Sequence, residues 1–559
     1  MSSLLLRSIA RSKNQLFYVK SHVCSPKYLS VLNRGFHQAS HEESRSQSAF
    51  YAVAGAAIVG TGIWLLQDHL KETQCAKKIE SKKHETARQD LPTYSADEVS
   101  KHSDENSSVW VTFGIGVYDI TKFVPEHPGA KKNIMLGAGS AMDPFWHTYQ
   151  FHKEQKILDL LETYRIGNLK AEDQQSVADQ GDPYANEPKR SSLLVPKSVT
   201  PFNAEPPLSL LVENFITPVE YFYVRNHLPV PDIKAEEYEL EVEVESTGKK
   251  KNFSLKDIQT KFPKTGVVAV VMCGGNRRSE MHGVKEVRGL GWGAAACGNA
   301  VYEGVRLCDF LAAMGVKSDE HSHLILEGYD TDPTSTPYAA SIPLSKAMDP
   351  RGDVILAYEM NGEALTRDHG FPLRIIVPGV VGARNLKWLG KMTVSKNESD
   401  SHWQQNDYKA FSPSTDWDNV DFSTAPAIQN MPVTSAICTP NPLENQVKIV
   451  DGHIEVKGYA YSGGGNRIIR VDVTGDQGKS WITADLQQLS DGENVGPGRH
   501  YAWTLWTAKV PIANNQKSID VWSKAVDSNY NCQPETFKNT WNLRGVVANA
   551  YNRVRITLQ

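Results

Sequence analysis

Cysteine is scarce and scattered. The seven residues at 24, 75, 273, 297, 308, 438 and 532 form no CxxC pair, which argues against a zinc site or a disulfide scaffold, so free thiols are expected. A charge excess is also missing, because 60 basic residues stand against 64 acidic ones. Nothing global therefore points to nucleic acid, and any anion site must be a local cluster of cations. The first 41 residues lack Asp and Glu altogether, yet carry Arg7, Arg11, Lys13, Lys20, Lys27 and Arg34 among serines and leucines. That composition is expected of a mitochondrial presequence. Uncharged for 22 positions, "SQSAFYAVAGAAIVGTGIWLLQ" at 46–67 is long enough to span a bilayer of about 30 Å. It is either a sorting segment that is removed, delivering the rest to the intermembrane space, or a retained inner-membrane tether.

The 559 residues are too many for one core, and several domains of about 100 to 200 residues are expected. Residues 1–90 read as presequence and sorting segment, and 91–170 as a small α+β unit. There Ser95 and Glu98 form a capping box, "VWVTFGIGVYDIT" gives two short strands and "FHKEQKILDLLETY" has helical spacing. The polar stretch 171–195 reads as a flexible linker. From 196 to 430 strands alternate with helices: "YELEVEVE" is a one-sided strand, "GVVAVVMC" a buried one, and "VRLCDFLAAMG" an amphipathic helix ending on Gly315. Short strands separated by Gly, Asn and Asp turns over 431–559 predict a β-sandwich.

Two constellations carry chemistry. In "FVPEHPGA", His127 lies in a Pro and Gly loop that can present an imidazole into a cleft. The segment resembles the HPGG haem loop of cytochrome b5-type domains, with Ala130 in place of the second glycine. The resemblance implies a second axial histidine about 25 positions on, for which His152 is favoured over His147. It implies haem b held by two imidazoles, with Phe123, Met135, Leu136, Phe145, Trp146, Ile157 and Leu160 as candidate walls. With both axial positions filled, such a haem only carries electrons.

In "VVMCGGNRRSEM", Cys273 ends a buried strand. Its thiolate suits a soft metal, the glycines allow close backbone approach, and Arg277 and Arg278 can bind oxyanions. A lone cysteine after an apolar run is otherwise a small buried hydrophobe. Together with "YFYVRNHLPVP", "DHGFPLR", "GVVGARNLKWLG" and "SHWQQNDYKAFSPS", the segment resembles the molybdenum-binding region of the sulfite oxidase and plant nitrate reductase family. An N-terminal haem domain with no flavin module matches the animal oxidases of that family.

The resemblance implies an α+β multidomain fold: a cytochrome b5-like domain, a mixed α/β molybdopterin domain and a C-terminal immunoglobulin-like β-sandwich that dimerises. It implies oxidation of sulfite to sulfate, with electrons leaving through haem to cytochrome c. Cys273 would ligate molybdenum, while Arg225, His227, Asp330, His369, Arg374, Asn385 and Lys387 would hold the molybdopterin. Arg225 and Arg278 would bind the substrate dianion, with Trp292 and Tyr408 beside it. A third substrate arginine is expected after "SGGG", where Asn466 stands and Arg467 follows. Arg467 is the candidate, with Asn466 as the alternative.

Overall fold

In the computed structural model, residues 83–128, 131–178, 182–318, 322–441, 447–489 and 496–558 are described. The presequence and the apolar segment at 46–67 lie outside them. Among the described residues, no helix is long and apolar enough to cross a membrane. The described residues fall into two compact units, one of residues up to 146 and 151–180, the other of 147–150 and 181–559.

The first unit is built on a five-stranded sheet in the order Thr93–Tyr94, Arg165–Leu169, Gly116–Asp119, Ser108–Phe113, Ser103–Asp104. Gly114, at φ +55°, closes the hairpin between the two expected strands. The Ser95 side chain accepts the Glu98 amide at 3.2 Å, satisfying a free donor at the start of helix Ala96–Ser100. Helix Gln155–Glu162 buries Leu158 and Leu161, as its spacing predicts. The stretch read as linker is more ordered than expected at its start. Ala171–Ala178 forms a helix with Glu172 and Asp173 in its first turn, where carboxylates favour the amide end, and the Asp173 carboxylate accepts the Ala96 amide at 2.9 Å.

The second unit combines two five-stranded sheets, a three-stranded sheet and a sandwich of two four-stranded sheets. Strand Glu239–Val244 alternates as its sequence does: Leu240, Val242 and Val244 are buried while the glutamates face outward. Each buried aliphatic side chain contributes about 1.5–3 kcal/mol. Helix Leu307–Ala313 is followed by Gly315 at φ +83°, the left-handed stop expected of that glycine. Strand Lys264–Met272 pairs antiparallel with Cys297–Arg306 and is buried from Val268 onward, so it delivers Cys273 into the interior. In the sandwich, Val456 and Ala508 of one sheet and Val471 and Val521 of the other share one core.

The sandwich also touches the cysteine loop. The Val270 amide donates to Tyr501 O at 2.9 Å, the Val547 amide to Gly274 O at 2.7 Å, and Asn276 Nδ2 to the Tyr459 hydroxyl at 2.8 Å.

Candidate active site

One cavity gathers Cys273, Arg225, His227, Tyr408, Asp330, His369, Arg374, Asn385 and Lys387, together with Tyr338 and Asp368. Five separate stretches of chain supply them, around 225–227, 273, 330–338, 368–387 and 408. Cys273, 5% exposed, is fixed by its amide on Ala296 O at 2.9 Å, and its sulfur accepts the Gly275 amide at 3.4 Å. Asn385 is engaged with backbone: its Oδ1 accepts the Val377 amide at 2.7 Å and its Nδ2 donates to Val380 O and Val381 O. It therefore shapes the wall.

The electrostatics favour anions. Burial, assisted by Arg225 and Lys387, holds the His227 imidazole well below its ordinary pKa, and burial takes His369 down to about 3. Both rings are neutral at physiological pH. Desolvation opposes the charge of Arg225, but Tyr408 and Cys273 nearby raise its pKa on balance. Burial lowers Lys387 and raises Asp330, so that pair drifts toward neutrality. Arg374 donates to His369 O at 3.0 Å and Asn385 O at 2.9 Å, while its Nε and Asp330 Oδ1 are buried with no partner. Unsatisfied buried polar atoms beside a cavity fit a polar, phosphate-bearing occupant.

Arg278 stands beside this cavity and feels the Cys273 and Tyr408 charges. Its Nε donates to Arg544 O and Gly545 O, and its Nη1 to Leu290 O. A Cβ on Gly275 would meet the Arg278 guanidinium carbon at 2.8 Å, and one on Gly289, at φ +133°, would meet Nη1 at 2.6 Å. These glycines form a slot for the arginine, a role that spacing alone does not reveal. Trp292, fully buried, packs edge-on to Tyr223 at 6.5 Å within the cluster that holds Cys273, and is not among the cavity walls.

Two expectations are corrected. Arg277 binds no external oxyanion: with φ +65° and no exposure, it grips Glu280 through two 2.7 Å bonds and donates to Ser435 O at 3.1 Å. Arg467 does not reach the Cys273 cavity. It lines a different one with Arg499 and Tyr501, and its Nε donates to Gln488 at 3.0 Å. Asn466 is turned to Asp527 at 3.3 Å. The glycines before them serve backbone packing, since a Cβ on Gly463 would lie 2.4 Å from Met431 O and one on Gly465 2.2 Å from Gly498 O. The arginine that the structure places behind Arg278 is Arg544, which pairs with Asp407 and acts on Arg278 without lining the cavity. Its position in "WNLRG", 266 residues from Arg278 by number, gave no signal in the sequence. Asp368, adjacent to His369, was also missed.

In the first unit, the His127 and His152 rings lie 6.4 Å apart with planes within 12°. That leaves room for one metal ion between ring nitrogens at about 2.0–2.1 Å each. Phe123 stands 6.0 Å from His127 and Trp146 5.3 Å from His152. Met135, Phe145 and Ile157 pack against the same core, whereas Leu136 and Leu160 are 43% and 41% exposed. Elsewhere, no group of three or more His, Cys, Asp or Glu side chains able to hold a metal occurs among the described residues.

Comparison with known proteins gives the same picture. Residues 95–170 match the cytochrome b5-like haem/steroid binding domain, 227–403 the oxidoreductase molybdopterin binding domain, and 425–559 the Mo-co oxidoreductase dimerisation domain. Mitochondrial sulfite oxidase of Drosophila melanogaster is 55% identical over 93% of this chain and 92% of its own. The human mitochondrial sulfite oxidase is 48% identical over 84% and 85%. The crystal structure of sulfane dehydrogenase SoxCD from Paracoccus pantotrophus superposes with a TM-score of 0.52 at 27% identity, covering 66% of this chain and 87% of that one. A haem module, a molybdopterin module and a dimerisation module in this order, shared almost end to end with the fly enzyme, place the chain in the sulfite oxidase family of molybdenum- and haem-containing oxidoreductases.

Proposed function

We propose that the cavity residues divide the oxidation of sulfite to sulfate among them as follows. Sulfite and water give sulfate, two protons and two electrons. When bound, the molybdenum cofactor supplies the oxygen-atom transfer and the haem supplies one-electron carriage. Cys273 ligates molybdenum, and Lys387, Arg374 and His369 hold the phosphate-bearing end of the pterin. Arg225 and Arg278, with Arg544 behind them, offset the desolvation of the substrate dianion. The Tyr408 hydroxyl keeps a proton between the anion and His227 Nε2, 2.7 Å away. The burial of Arg225, Arg278 and Tyr408 strengthens each of these interactions relative to water. His127 and His152 would hold the haem through their imidazoles, and a haem so held would serve electron transfer.

The acceptor is cytochrome c, a basic protein. Asp97, Glu98, Asp104, Glu105 and Glu126 are exposed on the haem unit and suit such a partner. The acid-free leader and the apolar segment behind it address the chain to mitochondria and to the intermembrane space. Residues 425–559 pair it with a second copy.

The observation that carries this reading is the meeting of Cys273, Arg225 and Tyr408 at one cavity. It is tested by sulfite-dependent reduction of cytochrome c alongside metal analysis. Cys273→Ser should abolish the activity and leave haem absorbance unchanged. Sulfite oxidation that survives this substitution sinks the assignment.

A further inference from the structure

The cavity assigned to a phosphate-bearing cofactor contains an acid where anion binding calls for none. Asp368, 7% exposed, lines it directly before His369 and is the acid that acts most strongly on Lys387. Lys387 Nζ donates to Asp368 O at 2.9 Å and to Asn226 Oδ1, so the amine and the carboxylate-bearing residue stand within one small network. An ionised carboxylate left open here would repel an incoming phosphate through a low-dielectric interior.

It is not left open. Arg190 Nε donates to Asp368 Oδ2 at 2.9 Å and its Nη2 to Oδ1 at 2.8 Å, the two-pronged geometry that suits guanidinium to carboxylate. Asn226 Nδ2 adds a third bond at 3.2 Å. Arg190 is itself fixed. It pairs with Glu187 and lies 4.1 Å from the Phe202 ring centroid, and Glu187 is held by the Val230 amide at 2.9 Å. The residue belongs to "NEPKR", at the end of the stretch read as linker, so this end too is anchored.

We propose that Arg190 is a positioning residue for the molybdenum cofactor: it neutralises Asp368, and so allows the terminal phosphate to settle beside Lys387 and Arg374. The inference rests on the reading of the cavity as the cofactor pocket. Arg190 touches neither cofactor nor substrate, and acts through Asp368 alone.

The test uses the full chain, with haem absorbance as an internal count of folded molecules. Pterin per haem, and its rate of release after dilution, are read by the fluorescence of oxidised pterin. Arg190→Met should release pterin about tenfold faster or more. The double variant Arg190→Met/Asp368→Asn should stay within about threefold of Asp368→Asn alone. A double variant that leaks as fast as Arg190→Met overturns the proposal, since Arg190 would then only hold its own segment. Unchanged release from Arg190→Met overturns it as well. If Arg190→Met fails to accumulate, Arg190→Lys with and without Asp368→Asn reads the same coupling. Lys387→Met and Arg374→Met, measured in parallel, separate the two levels. Undiminished pterin in both removes the pocket reading itself, whatever Arg190→Met does.

Discussion

His227 Nε2 and the Tyr408 hydroxyl meet at 2.7 Å inside the cavity, and neither carries a charge. Burial, with the fields of Arg225 and Lys387, keeps the imidazole neutral. Burial likewise keeps the phenol protonated, against the opposing pull of Arg225. Tyr338 stacks on a face of the imidazole at 4.6 Å, so the ring that meets the Tyr408 hydroxyl is held in place.

Replacing Tyr408 by Phe should therefore do more than remove one contact. A hydroxyl lost from a bond to a charged oxyanion weakens transition-state binding by about 1.5–3 kcal/mol, roughly tenfold to a hundredfold in kcat/KM. Steady-state sulfite oxidation checks this, and an unchanged kcat/KM removes Tyr408 from the reaction.

The arginines make a paired prediction. Arg467→Met should leave the KM for sulfite where it is, because Arg467 lines another cavity. Arg544→Met should raise it by up to about tenfold, indirectly, because it leaves Asp407 buried without its partner and removes the backing of Arg278. Asp407→Asn added to Arg544→Met should recover the part of the loss that comes from the stranded carboxylate. Equal KM values for Arg467→Met and Arg544→Met would contradict the geometry.

His369 predicts an acid weakness. An unfolded histidine binds a proton near pH 6.5, which the folded one refuses until about pH 3 because of burial. The unfolded chain thus holds more protons across that window, and stability falls as pH falls through it, by up to about 1.4 kcal/mol per pH unit from this group. His369→Gln should flatten the pH dependence of the urea midpoint of the cofactor-free chain between those limits. A slope equal to that of the parent chain would mean the ring is protonated in the fold.

Local periodicity made several elements legible. "YELEVEVE" alternates in sequence and in burial, and "GVVAVVMC" is apolar throughout because the end of its strand is buried on both faces. The cysteine that follows falls where a strand end meets a cavity, so Cys273 could be read from its neighbours. Roles that depend on distant chain could not. Gly275 serves Arg278, which in turn is bonded by Arg544 and Gly545, and no spacing rule connects those positions. Arg467 misled because "SGGG" suggests room for a ligand, whereas its first and third glycines make room for the carbonyls of Met431 and Gly498. The two adjacent arginines diverge for a similar reason: the left-handed backbone at Arg277 points it to Glu280 and away from its neighbour's task.

The bonds from Tyr501, Val547 and Tyr459 to the strand and loop around Cys273 give the C-terminal sandwich a second duty besides self-association. The strand and loop that carry the sulfur are braced from outside the cavity by a module that contributes none of its lining residues. A chain truncated near residue 430 would lose more than its partner. The sulfur would sit on a segment stripped of three of its braces, and damage far along the chain could silence the chemistry without touching any group that meets sulfite.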